Sequence, residues 1–189
     1  MYQVLPAGKT PGGLYFLSNL DQTFPYPVEI VFSYKGKGNG TNKTSAEVLK
    51  TELATKVLVE FYPLAGCVAT SWDGKMLVRC NGEGVPFVEA TCEYEMELLG
   101  NINPMNRREL RIVHPLQLSR RVTTFKCGGI VVGVVLNHVL IDGKSFIHFV
   151  NSWAEVARGM TLSVLPHLWI DLYYLQGSLQ SSILLMMNT

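Results

Sequence analysis

The 189 residues carry 16 Lys+Arg against 15 Asp+Glu, and charged residues make up only 16% of the chain. That is long enough for one domain with a sizeable core, and it lacks the basic patch with which a nucleic-acid binder neutralises phosphates. No apolar run reaches the ~20 residues of a membrane span, and the N-terminus has no h-region of a secretory signal, so a cytoplasmic protein is expected.

Cys67, Cys80, Cys92 and Cys127 show no C-x-x-C spacing. Two of them follow strand-like text and read as small buried hydrophobes, and no metal site is expected. Leu14 to Leu20 reads as a short strand or turn, with Ser18, Asn19 and Asp21 as capping residues for the next segment. Val28 to Tyr34 alternates apolar and polar residues, the pattern of a half-buried strand. Lys35 to Lys43 is rich in Gly, Asn and Lys and reads as an exposed loop; its two glycosylation sequons are taken as loop polarity.

Thr44-x-x-Glu47 is a capping box and predicts a helix start. Val48, Leu49, Leu53, Val57, Leu58 and Phe61 recur at steps of three and four and predict its buried stripe. Tyr62-Pro63 ends the helix in a turn packed on the core. Asp73-Gly74 between two apolar runs predicts a hairpin of Cys67 to Thr70 with Met76 to Cys80. Gly82 and Gly84 mark a bend before a strand from Val85 to Ala90. Gly82-Glu83-Gly84 is no phosphate loop, because no Lys-Ser/Thr follows and no helix opens. Glu93 to Leu99 reads as a short acidic surface helix. Asn101 to Arg121 is basic and reads as a solvated face, with His114 at the surface.

Val122 to Cys127 and Ile130 to Asn137 form a strand pair linked by Gly128-Gly129. The second strand is mostly Val and Ile and is expected to be buried on both faces. It leads directly to His138, Asp142 and Gly143. A helix comes next, with Phe146, Phe149, Val150, Trp153 and Val156 on its core face, His148 exposed and Gly159 at its end. An imidazole at the end of a buried strand is held from behind and can face a cleft, the placement a general base requires. The same placement suits a hydrogen-bonded structural histidine, and three fixed positions in six occur by chance.

The context of that histidine resembles a known family. His138-x-x-x-Asp142-Gly143, preceded by Thr124-Phe125-Lys126-Cys127-Gly128-Gly129 and followed by Phe149-Val150-Asn151-Ser152-Trp153, is similar to the plant BAHD acyl-CoA-dependent acyltransferases. Leu17-Ser18-Asn19-Leu20-Asp21, Tyr62-Pro63-Leu64-Ala65-Gly66 and Gly82-Glu83-Gly84-Val85-Pro86-Phe87-Val88-Glu89-Ala90 match further motifs in the family's order, with Cys67 where an Arg is usual. The text around Ser18 to Asp21 and Asn151 to Trp153 is most similar to the branch that moves feruloyl or caffeoyl groups onto fatty alcohols and ω-hydroxy acids.

The resemblance implies an α/β fold, a mixed sheet flanked by helices like the amino-terminal half of the chloramphenicol-acetyltransferase-like fold. It implies His138 as the general base that deprotonates an alcohol acceptor attacking a hydroxycinnamoyl-CoA. It makes Asp142 structural, holding the loop through a salt bridge, with Gly143 in the same structural motif. It places Ser18 and Asp21 near the substrate channel, although a simple capping role at a sheet edge fits the residues equally well. Acyl-CoA enters as co-substrate with no bound cofactor, because the thioester is already activated. Family members are monomers of two domains, so the inter-domain face of this half is expected to be an exposed apolar patch, the route to any association.

The resemblance stops at Pro166. Trp169 has one codon, and a shifted frame through Trp169 to Ser181 permits Leu-Asp-Arg-Ser, then Arg-x-Pro-Pro-Lys, which is the family's text at this point. Residues 1–166 therefore read as the amino-terminal acyltransferase domain, and 167–189 as a non-homologous, frame-shifted tail. Three readings compete: an acyltransferase truncated before its second domain, an inactive fragment that binds or regulates a full-length homologue, or a non-functional truncated product.

Overall fold

The computed structural model describes residues 2–36, 44–99 and 119–162. The expectations for the polar loop beyond residue 36, for most of the basic stretch 101–121 with His114, and for the tail lie outside those residues. The described part is α/β, with two sheets and their helices.

The larger sheet has the order β1 (Tyr2–Val4), β6 (Val85–Cys92), β7 (Ser119–Phe125), β8 (Ile130–Asn137), β3 (Pro27–Tyr34). Only the β6–β7 pair is parallel; the others are antiparallel, so the sheet is mixed. The smaller sheet has the order β2 (Gly13–Phe16), β5 (Met76–Cys80), β4 (Cys67–Thr70). β1 carries no readable sequence signal, because three residues become a strand only against the edge of β6. β7 begins at Ser119, earlier than expected, so Arg120 and Arg121 belong to a strand. Arg121 is half-buried, and its Nε lies buried without a hydrogen-bond partner.

β8 is buried along all its length except Ile130. Val132, Val134 and Leu136 join the core under the helices, while Val131 and Val135 on the opposite face are buried as well. Its near-continuous apolar text comes from having two faces to bury.

The capping box is formed in full. The Glu47 N–H donates to the Thr44 hydroxyl at 3.2 Å, and the Thr44 N–H donates to the Glu47 carboxylate at 2.9 Å. The helix it opens does not run as one regular cylinder. α1 (Ser45–Glu52) passes into a π turn over Leu53–Val57 and resumes as α2 (Leu58–Glu60). The π turn inserts a residue into the helical repeat and rephases the buried stripe. Ala46, Leu53, Val57, Leu58 and Phe61 are buried, whereas Val48 and Leu49, expected in the stripe, are only half-buried. Those two instead line an apolar groove of about 410 Å³ with Phe32, Tyr34 and Trp153, at the end of β8 remote from His138.

α3 (Gly143–Ala157) buries Phe146, Phe149, Val150, Trp153 and Val156 as its spacing predicts, and Gly159 lies just past its end. His148, expected at the surface, is half-buried: its ring packs 5.9 Å from that of Phe61, and its Nε2 is buried without a hydrogen-bond partner. The position lies beside the stripe, and the chain turning out of α2 reaches over it. Cys80 is buried, Cys67 and Cys92 are half-buried and Cys127 is exposed. No described helix is long and apolar enough to cross a membrane.

Candidate active site

β8 stops because Asn137, only 3% exposed, turns its side chain onto the backbone and accepts the Val139 N–H at 3.1 Å. That bond caps a single 3-10 turn, His138–Leu140. Val139 and Leu140 point into the core and His138 points out, half-exposed. The chain straightens at Ile141 and enters α3 at Asp142. The imidazole is thus carried by a turn anchored on both sides, by a buried strand and by a buried helix.

Asp142 is the N-cap of α3, and its carboxylate accepts the Ser145 N–H at 2.7 Å. Burial works against its charge, but hydrogen bonds from Ser145, with His138 and Lys144 nearby, outweigh it and hold the carboxyl below its ordinary range. Among the described residues no ion pair holds Asp142. Gly143 opens the helix in an ordinary backbone conformation, and a Cβ placed on it meets nothing within 4 Å.

Ser18 and Asp21 bind each other. The Ser18 N–H and hydroxyl donate to Asp21 Oδ2 at 2.9 and 2.7 Å, and the Asp21 N–H donates back to Ser18 Oγ at 3.2 Å. This closed box shapes the turn that leads into the 3-10 segment Asp21–Thr23. Gln22 ties the same segment to the small sheet by accepting the Met76 N–H at 3.0 Å. Behind it lies Tyr15, whose phenol is raised by burial, with Tyr62, Asp21 and Cys80 adding to the effect. The segment Asp21–Thr23 packs against the His138 turn. The side chains of Ser18 and Asp21 are spent on capping, and the turn they cap adjoins the His138 turn.

Two residues that sequence reasoning passed over stand beside the imidazole. The ring centroids of Phe24 and Tyr26 lie 5.5 and 6.1 Å from that of His138, and the His138 N–H donates to the Tyr26 carbonyl at 3.0 Å. The signal was present as Phe24-Pro25-Tyr26-Pro27, an aromatic–proline alternation directly before a strand. The described residues hold no group of three or more His, Cys, Asp or Glu side chains placed for a metal ion.

A model described as the Transferase family matches residues 1–173. The chain is 40% identical over 174 residues to an omega-hydroxypalmitate O-feruloyl transferase of Arabidopsis thaliana, covering 86% of this chain and 38% of that protein. It is 40% identical over 178 residues to a fatty alcohol:caffeoyl-CoA acyltransferase of the same plant, covering 87% and 41%. Among solved structures, vinorine synthase superposes with a TM-score of 0.74 at 27% identity, over 86% of this chain and 43% of that one. The chain spans about two fifths of the length of the curated relatives it matches. Sequence match, shared fold and the order of the motifs converge, and the chain belongs to the BAHD acyltransferase family.

Proposed function

We propose that this chain supplies the general base of an acyl transfer from a coenzyme A thioester to an alcohol, with a hydroxycinnamoyl group as the acyl moiety and a fatty alcohol or ω-hydroxy acid as the acceptor. The observation that carries the reading is the His138 turn, a half-exposed imidazole on a rigid strand end, with its surroundings capped and packed from behind. The 40% identity to a feruloyl and to a caffeoyl transferase supports the donor and acceptor classes.

A neutral alcohol is a weak nucleophile. The imidazole accepts the hydroxyl proton as the oxygen attacks the thioester carbonyl. The tetrahedral intermediate then collapses, expelling the thiolate of coenzyme A, which takes the proton from the imidazolium. One such proton transfer contributes typically 10²–10⁴-fold. Ser18 and Asp21 serve this site by shaping the turn beside it, and Asp142 and Gly143 by opening the helix behind it.

The test is acyl transfer from feruloyl- and caffeoyl-CoA to a long-chain alcohol, assayed on the chain alone and on the chain joined to the carboxy-terminal half of the caffeoyl-CoA relative. His138→Ala is expected to lower kcat by about 10²–10⁴-fold. Near-normal turnover by that variant refutes the assignment. We further propose that residues 167–189 are shifted-frame text. A transcript that gives this reading frame, with no family text in either alternative frame, refutes it.

A further inference from the structure

We propose that Phe24 and Tyr26 are positioning residues, an aromatic clamp that holds the His138 imidazole in one orientation and offers its outer faces to a planar aromatic acyl group. The proposal rests on His138 as the base and says what orients it.

The clamp is built by the sequence Phe24-Pro25-Tyr26-Pro27. Each proline fixes its own φ and biases the preceding residue toward extended backbone. Phe24, at φ −124° and ψ 69°, lies outside the extended region, and its ring meets that of Tyr26 at 5.9 Å. The stiff segment therefore presents both rings together. Pro27 begins β3 and pairs with Asn137, so Tyr26 falls level with His138. The 3.0 Å bond from the His138 N–H to the Tyr26 carbonyl extends that pairing by one residue. On the other side, the Ser18–Asp21 box and the Gln22 bond fix where the segment starts.

The three rings pack on one another. Phe24 and Tyr26 meet edge-to-face at 5.9 Å and 80°, and they meet the imidazole at 58° and 48°, within the range of favourable ring pairs. Neither aromatic belongs to the buried hydrophobic core, and they are 42% and 50% exposed. Core stability does not account for two large rings so placed. The group they order is the imidazole, and orienting a base before the substrate arrives removes an entropic part of the barrier. Their exposed faces are quadrupolar surfaces that favour another planar π system over an alkyl chain, which suits the feruloyl and caffeoyl groups named for the relatives.

The test needs no turnover. The 189-residue chain is treated with diethyl pyrocarbonate, and modification of each histidine is followed by peptide mass spectrometry. Phe24→Leu/Tyr26→Leu is expected to label His138 about tenfold faster than the unaltered chain, because two ring contacts no longer restrain and cover it, with His148 as the internal control. Tyr26→Phe keeps the ring and labels like the unaltered chain. Sodium ferulate is expected to slow labelling of His138 more than equimolar sodium hexanoate does. Equal labelling of the unaltered and doubly substituted chains, or equal protection by the two carboxylates, overturns the clamp. If the double variant does not fold, the ferulate and hexanoate comparison on the unaltered chain decides by itself. Failure of the base assignment would appear elsewhere, as turnover surviving His138→Ala with the labelling pattern intact.

Discussion

Asp142, four residues after the imidazole, is occupied with the first turn of α3. Asp142→Ala removes an N-cap and is expected to cost about 1 kcal/mol, read as a lower Tm, while Asp142→Asn retains most of the cap. The pH dependence is set by the sign of the shift. The folded-state carboxyl titrates below its ordinary value, so its stabilising contribution is present above the unfolded pKa, about 4, and is lost as pH falls through the folded value. The Tm gap between the unaltered chain and Asp142→Ala should be constant near neutrality and shrink in acid. At Cys67 the thiol lies 3.0 Å from Glu83 Oε2, in the place where the resemblance has an arginine. Cys67→Arg is expected to form an exposed ion pair with Glu83, raising stability by about 0.2–1 kcal/mol. Adding Glu83→Gln should cancel the gain, and a Tm unchanged by Cys67→Arg counts against the pairing.

Elements were legible wherever their signal is local. The Thr44 box, the hairpin at Asp73-Gly74, the two-faced strand β8 and the apolar stripe of α3 all specify themselves within a few residues. The π turn was not, because its residues Leu53–Val57 are ordinary helix formers and the extra residue is absorbed through contacts made elsewhere. One such contact is the indole N–H of Trp153, which donates to the Leu49 carbonyl at 2.9 Å. Trp153→Phe keeps most of the packing and removes one of the two donors to that carbonyl, which still accepts the Leu53 N–H; the expected loss is about 0.5–1.5 kcal/mol by chemical denaturation. Two glycines separate backbone strain from close approach. Gly74 has φ +83° with open space around a Cβ, whereas at Gly84, φ +80°, a Cβ would run into the Val4 carbonyl across β1. Gly74→Ala is therefore expected to cost about 1–2 kcal/mol, and Gly84→Ala distinctly more, with loss of the β1 edge visible in amide exchange.

Across the whole molecule, the mixed sheet brings the end of β8 and the start of β3 together, and that pairing is what sets Tyr26 beside His138. The helix pair behind it is locked by Phe149, fully buried against Phe61, Phe146 and Trp153. Phe149→Ala should cost about 3–5 kcal/mol and loosen the His138 turn with it. Phe24 and Tyr26 stand exposed beside the imidazole. By itself the sequence determined the family, the mixed α/β plan, and the places of His138 at a strand end and of Asp142 before the helix, because motif order and local periodicity are written in consecutive residues. Only the tertiary structure decided what surrounds His138: the register that places Phe24 and Tyr26 against it, the mutual capping of Ser18 and Asp21 beside its turn, and the half-burial of His148. Those depend on contacts between segments far apart in the chain, and no stretch of sequence carries the distance between two others.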